Sequence, residues 1–102
     1  MPLKSHGDIT ELLHQFTIVL CQPSHPGNIG AAARAMKTMG LINLSLVSPH
    51  LIKTPLTDNP PVFNPSDPGS FRLPEESYIL SSGARDVLDS AVFYPDLKEA
   101  LR

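Results

Sequence analysis

The chain has 102 residues, enough for one domain with a modest core. With 41% hydrophobic residues and a formal net charge of −2, it is neither a disordered tail nor a protein that holds nucleic acid by bulk positive charge. Its single cysteine, Cys21, excludes an internal disulfide and fits a reducing compartment.

The first eight residues read as a loose tail, followed by a short helical turn over Ile9 to Gln15 with Asp8 as its cap. Met1 to Thr10 lacks the apolar centre of a signal peptide. No apolar stretch approaches the ~20 residues that span a bilayer. A soluble, cytoplasmic protein without a membrane partner is expected. Phe16 to Cys21 is a β-branched and apolar run that stops at Pro23, which predicts a buried strand with Cys21 packed in the core.

Gln22-Pro-Ser-His-Pro-Gly27 reads as a loop. A helix follows, with Asn28 as N-cap and Gly40 just past its end. Ile29, Ala32, Ala33, Met36 and Met39 recur at three- and four-residue spacing and form one apolar stripe. Arg34 and Thr38 fall on the opposite side, with Lys37 on its flank. Leu44 to Val47 is a second strand, ended by Ser48-Pro49. Strand, helix and strand with short connections make a βαβ unit with parallel strands and a right-handed crossover.

Residues 49–74 break every period with Pro49, Pro55, Pro60, Pro61, Pro65, Pro68 and Pro74, and an exposed loop or insertion is expected there. Pro74-Glu75-Glu76 opens a helix with acids at its positive end, and Gly83 stops it. Gly83-Ala-Arg-Asp86 reads as a helix end with a charged turn, in which Arg85 pairs with an acid. Ala91 to Tyr94 is a third strand, and Pro95-Asp96 opens a last helix over Leu97 to Leu101. That helix has barely begun at Arg102, so a sheet still being built, and a piece of a longer protein, is expected.

The loop before the second helix is the best site candidate. It lies at the carboxyl end of a parallel strand, where open α/β sheets place ligands. A helix N-terminus suits an anion, Gly27 and Gly30 allow close backbone approach, and Arg34 carries a planar charged fork that matches phosphate. The alternative is that Gly and Ala serve close packing and Arg34 is solvated. Gly27-Asn-Ile-Gly30 lacks the first glycine of a dinucleotide fingerprint, and no phosphate-loop motif is present. His25 shares the loop as a ligand contact or a surface group. His6, His14 and His50 have no metal-ligand spacing, and no metal is expected.

Ile18-Val-Leu20, then Pro23-Ser-His-Pro-Gly-Asn-Ile-Gly-Ala-Ala-Ala-Arg-Ala-Met-Lys-Thr-Met-Gly-Leu41, then Leu44-Ser-Leu-Val-Ser-Pro49 resembles the first motif of the SpoU-type tRNA/rRNA 2′-O-methyltransferases of the SPOUT superfamily. The branch that methylates a ribose in the tRNA anticodon loop is the most similar. A weaker likeness runs from Ser81-Ser-Gly-Ala-Arg-Asp-Val-Leu88 onward, and the proline-rich stretch is longer than the family's usual connection.

The resemblance implies methyl transfer from S-adenosyl-L-methionine to a ribose 2′-hydroxyl of tRNA or rRNA. It implies Arg34 and Asn28 at the catalytic centre, with Ser24, His25, Gly27, Gly30 and Lys37 as RNA or phosphate contacts. Guanidinium is hard to deprotonate, so Arg34 is expected to grip a phosphate and orient the hydroxyl while phosphate or water takes the proton. The implied fold is α/β, a parallel sheet of βαβ units with helices on both faces, cut short before the C-terminal knot. In the family that knot binds the cofactor and builds a homodimer. The whole chain, 1–102, is therefore expected to be the N-terminal portion of such a domain, inactive alone and without a cofactor pocket. A non-catalytic RNA- or phosphate-binding module and a plain α/β scaffold are the competing expectations.

Overall fold

The computed structural model describes residues 6–102, with side chains from Ile9 onward. Its centre is a three-stranded parallel sheet in the order β1 (Thr17–Cys21), β2 (Asn43–Val47), β3 (Val92–Tyr94). Thr17 pairs with Asn43 and Cys21 with Val47, while Ser45 pairs with Val92 and Val47 with Tyr94. Helices surround it in chain order: α1 (His6–Leu13), α2 (Pro26–Met39), α3 (Glu75–Ser81), α4 (Arg85–Asp89) and α5 (Leu97–Ala100). The expected α/β class and all three strands are present.

β2 is buried along Leu44–Val47. Successive strand residues face opposite ways, so both faces of this central strand are covered, as parallel strands require. Leu44 and Leu46 join Ile29, Ala33 and Met36 of α2, Ala84, Val87 and Leu88 around α4, and Phe71 and Leu73 in one core. β1 is an edge strand and only half-buried. That position corrects the expectation for Cys21: it is exposed, because it ends an edge strand at the rim of the sheet.

α1 begins at His6, ahead of the expected turn, so Asp8 lies inside its first turn rather than capping it. The rest of the expected tail, residues 1–5, lies outside the described residues. α2 begins two residues before Asn28. Pro26 occupies its first position, where a fixed φ favours the helix and a missing N–H costs nothing, and extended His25 is the N-cap. At the other end Gly40 takes φ +80°, a conformation suited to glycine, and its N–H donates to the Lys37 carbonyl at 3.1 Å. The apolar stripe holds at Ile29, Ala33 and Met36, but Ala32 is half-buried and Met39 is 56% exposed, because the helix end runs past the core.

The segment 49–74 is the largely exposed loop that its prolines predict, but it is anchored to the core at its far end. Phe71 is 4% and Leu73 8% exposed. Phe63 meets Phe71 edge-on at 5.5 Å between ring centres, and Phe71 meets Phe93 of β3 edge-on at 5.1 Å. Such pairs add about 0.5–1.5 kcal/mol each beyond the area they bury. Prolines abolish periodicity but not burial, so the aromatic anchors stand where no pattern marks them. Further on, the chain turns at Ser82, φ +45°, before Gly83, and the expected charged turn is the helix α4.

Among the described residues α2 and α3 make the most extensive helix contact. A Cβ on Gly30 would collide with the backbone carbonyl of Ser77, and one on Gly27 would stand 2.5 Å from Leu80 Cδ1. Ser77 is fully buried and its hydroxyl donates to the Pro26 carbonyl at 2.7 Å. Gly30→Ala should therefore destabilise the fold. Alanine gains about 1 kcal/mol in helix propensity, but overpacking against rigid backbone costs about 1–3 kcal/mol or more. A urea titration should show a lowered unfolding midpoint. An unchanged or raised midpoint would contradict this packing.

Candidate functional site

Three chain segments meet at the carboxyl ends of the strands. Gln22, φ +51°, turns the chain out of β1 and its N–H donates to the Val47 carbonyl at 2.7 Å. Ser48, φ +45°, does the same after β2, with its N–H on the Tyr94 carbonyl at 2.8 Å. Non-glycine residues in this region carry strain, and such strain concentrates at functional sites. The turn after β2 is then sewn to the loop after β1. His50 N–H donates to the Pro23 carbonyl at 3.0 Å, and Ile52 N–H to the Ser24 carbonyl at 2.9 Å. The loop that carries Ser24 and His25 is thus held from two sides.

Within this frame Ser24, His25 and Asn28 come together. They line a cleft of about 280 Å³ with Val19, Leu20, Cys21, Pro23, Ile29 and Ala32. His25 and Asn28 are exposed and Ser24 is half-buried. Asn28 sits at the third position of α2, and its N–H donates to the His25 carbonyl at 3.0 Å. No side chain caps the N-terminus of α2 and no acid lies in its first turn. The partial positive charge of that end is met on its inner side by the Glu76 carboxylate beside Gly27 and is open to an anion only on the outer side, at Asn28.

Arg34 is not part of that cleft. Six residues at about 100° each place it roughly 120° from Asn28 around the helix. It is exposed and shares a second cleft, about 210 Å³, with Lys37, Thr38, Ser82, Gly83 and Ala84. Lys37 Nζ makes an exposed ion pair with Asp86 at 2.6 Å, which partly neutralises the charge expected to meet phosphate. The lysine holds the Asp86 carboxyl below its usual range, first by this hydrogen bond. Arg85 lies 4.5 Å over the Tyr78 ring, so its partner is an aromatic face rather than the expected acid.

Gly27 and Gly30, expected to let a ligand approach the backbone, are buried against α3. The close approach they permit is that of a neighbouring helix. Among the described residues no group of His, Cys, Asp and Glu is arranged to hold a metal.

Glu76 is the participant that sequence reasoning missed, having marked it only as a dipole partner at a helix start. It is 9% exposed. Its Oε1 accepts hydrogen bonds from the Thr54 hydroxyl and, at 2.6 Å, from the Thr57 hydroxyl. Its Oε2 lies 3.3 Å from where a Gly27 Cβ would stand. The carboxylate thus bolts the proline-rich segment beneath the start of α2. Thr54, then Thr57, hold its pKa below the ordinary carboxylate value against the opposing effect of burial, and the charge of His25 assists. Nothing in the spacing of Thr54, Thr57 and Glu76 announces this bolt.

No family model matches the chain. A tRNA (cytidine/uridine-2′-O-)-methyltransferase TrmJ from Yersinia enterocolitica is 43% identical over 90 residues, 88% of this chain and 27% of the relative. The crystal structure of a methylase family protein from Neisseria gonorrhoeae superposes with a TM-score of 0.86 at 61% identity, over 87% of this chain and 42% of that one. TrmJ from Z. mobilis ZM4 gives 0.59 at 33% identity, over 82% of this chain and 29% of that one. The chain is thus similar to one part of proteins named as a tRNA 2′-O-methyltransferase and as methylases. It spans about a quarter of the length of the curated TrmJ relative. The expected family motif and the observed parallel α/β sheet therefore agree with the relatives.

Two outcomes check this geometry. Glu76 has a depressed folded pKa, so its contribution to stability is complete above the unfolded value, about 4.3, and is lost as pH falls through the lower folded value. The urea midpoint should fall below about pH 4.5, and Glu76→Gln should flatten that decline while lowering the midpoint at pH 7. Equal decline in both proteins would place the acid sensitivity elsewhere. Separately, exposed Cys21 should react with a thiol reagent in the native state at one equivalent, and RNA in the Ser24–Asn28 cleft should slow that reaction.

Proposed function

We propose that this chain is the RNA-facing part of a tRNA ribose 2′-O-methyltransferase. The observation that carries the proposal is the intact run from Pro23 to Leu41, folded as a loop and helix at the carboxyl end of a parallel sheet. The likeness of 88% of the chain to an enzyme named for this activity on cytidine and uridine supports it.

Asn28, Ser24 and His25 receive the ribose and its phosphate at the open N-terminus of α2. Arg34 acts at the reaction centre through its charge. A guanidinium holds its proton at any working pH, so Arg34 binds phosphate and fixes the 2′-hydroxyl in line rather than serving as the base. Positioning of this kind lowers a barrier without any covalent step. Lys37 adds a second cation on release from Asp86, since an exposed ion pair is weak enough to exchange partners. Asn28 and Arg34 face different clefts, so both engage one RNA only where the strand passes around α2 or where two copies share the work. The homodimer that the resemblance implies satisfies the second condition.

S-adenosyl-L-methionine is the donor that methyltransferase relatives imply in general. The two clefts beside Asn28 and Arg34 do not fit it. The cleft beside Asn28 has no carboxylate, and the cleft beside Arg34 sets two cations against a ligand whose reactive centre is itself a cation. A larger cleft of about 450 Å³ between β3 and α4 contains neither Asn28 nor Arg34. The contribution of this chain is therefore to the nucleic-acid side of the reaction. Among the described residues no helix is long and apolar enough to cross a membrane, and we place the protein in the cytoplasm with its tRNA.

Arg34→Ala should leave thermal unfolding unchanged, because the side chain is exposed. In an intact enzyme that contains this chain it should reduce 2′-O-methylation of tRNA, read by nucleoside mass spectrometry, by about 10²–10³-fold, the usual cost of one lost transition-state contact. It should also weaken tRNA binding and lower the slope of log affinity against log salt by about one. Near-normal methylation by the variant would overturn the assignment.

A further inference from the structure

The proline-rich segment has no task in the methylation chemistry, yet it builds a site. Pro60, Pro61 and Phe63 stand opposite Ser48, Pro49 and His50 across a cleft of about 270 Å³. That is below the roughly 300–1,000 Å³ of pockets for drug-sized ligands. The cleft lies at the carboxyl end of β2, beside the loop that carries Ser24. Two backbone hydrogen bonds, His50 to Pro23 at 3.0 Å and Ile52 to Ser24 at 2.9 Å, make the two surfaces continuous.

Prolines and one aromatic contact restrain its walls. Proline fixes φ, so the far wall has little conformational freedom to lose. Phe63 rests edge-on against Phe71, and Phe71 against Phe93, so that wall stands on the core. Ser48 is held in its turn by the Tyr94 carbonyl. No Asp, Glu, Lys or Arg lines the cleft, so phosphate is not its ligand. Proline rings and the aromatic ring of Phe63, with the hydroxyl of Ser48 and the imidazole of His50 in the same lining, suit one planar heterocycle with hydrogen-bonding edges. Single-stranded RNA offers such groups as splayed bases, which proteins hold by stacking and by contacts to their edges.

We propose that this cleft receives a nucleobase of the same RNA strand whose ribose and phosphate lie on the Ser24–Asn28 loop. The proposal rests on the RNA reading above and adds base recognition to it. The proline-rich segment then selects substrate, and Glu76 keeps it in place through Thr54 and Thr57.

The test is titration of the ¹⁵N-labelled chain with hexauridylate and with an abasic ribose-phosphate hexamer, followed by amide chemical shifts. Hexauridylate should move the amides of His50, Leu51, Val62 and Phe63 together with those of Ser24 to Gly30. The abasic strand should move the second group only. Exposed His50→Ala and Val62→Asp should weaken hexauridylate about tenfold, the low end of a lost base contact, and leave abasic binding unchanged. Shifts confined to Ser24–Gly30 with hexauridylate would overturn base binding and leave the cleft to a protein partner, with the RNA reading intact. Equal shifts at His50 and Phe63 with the abasic strand would also overturn it. No shifts with either strand would overturn both.

Discussion

The contact on which the rest depends is the one between Gly30 of α2 and the backbone of Ser77 in α3. Helices normally stand 8–10 Å apart because side chains separate them. Here a residue without Cβ removes the spacer, and the buried Ser77 hydroxyl closes the gap by donating to the Pro26 carbonyl. That bond fixes the first turn of α2, and hence the direction in which the uncapped N-terminus and Asn28 point. It also brings Glu76, one residue before Ser77, under Gly27. One close approach therefore sets the helix that faces the ligand and the anchor for the segment beside it.

The same contact explains how charges are spent on an acidic chain. Net charge of −2 gives no general attraction for RNA, so affinity must come from a few placed groups. Placing α3 against α2 brings α4 alongside as well, and Asp86 reaches Lys37. Arg85 is turned to the Tyr78 ring. Arg34 has no acid beside it in its cleft and remains directed outward. The helix thus keeps one full cation available and restrains its neighbour, a pattern that favours one oriented phosphate over a diffuse polyanion surface.

Much of this was legible in the residues, and the misses have physical causes. The strands were legible because β-branched runs bounded by proline have few alternatives, and the start of α5 was legible at Pro95-Asp96, where the Asp96 carboxylate caps the helix by accepting from the Glu99 N–H at 2.8 Å. The end of α2 was legible because only glycine suits the +80° turn at Gly40. Its start was misplaced because Asn28 has the chemistry of a cap, whereas Pro26 has the geometry of a first position and prevailed. Cys21 was misplaced because a run of apolar residues does not say whether its strand lies at the centre or the edge of a sheet. The helix α4 was missed because five residues carry too little periodicity to register. Of the candidate site, the sequence marked the loop and Arg34, but their separation into two clefts follows only from the helix twist. Glu76 was invisible because its partners lie about 20 residues away, in a stretch where proline hides every pattern.

The proline-rich segment carries the last step. An insertion that merely tolerates its place should leave its apolar residues in solvent and its polar residues unpaired, since ordering costs about 1–2 kcal/mol per residue for the backbone alone. This one leaves Ile52, Leu56 and Val62 exposed but buries Phe71 and Leu73, sets Phe63 and Phe71 edge-on in series with Phe93 of β3, and pairs two threonines with one buried carboxylate. Prolines reduce the entropy that such ordering would otherwise consume. The segment is thus built as a wall, and its free side, with Val62 at 91% exposure, opens at the same end of the sheet as Ser24, His25 and Asn28. A rigid apolar wall beside a loop suited to phosphate combines the two kinds of contact that single-stranded RNA offers, backbone charge on one side and base faces on the other.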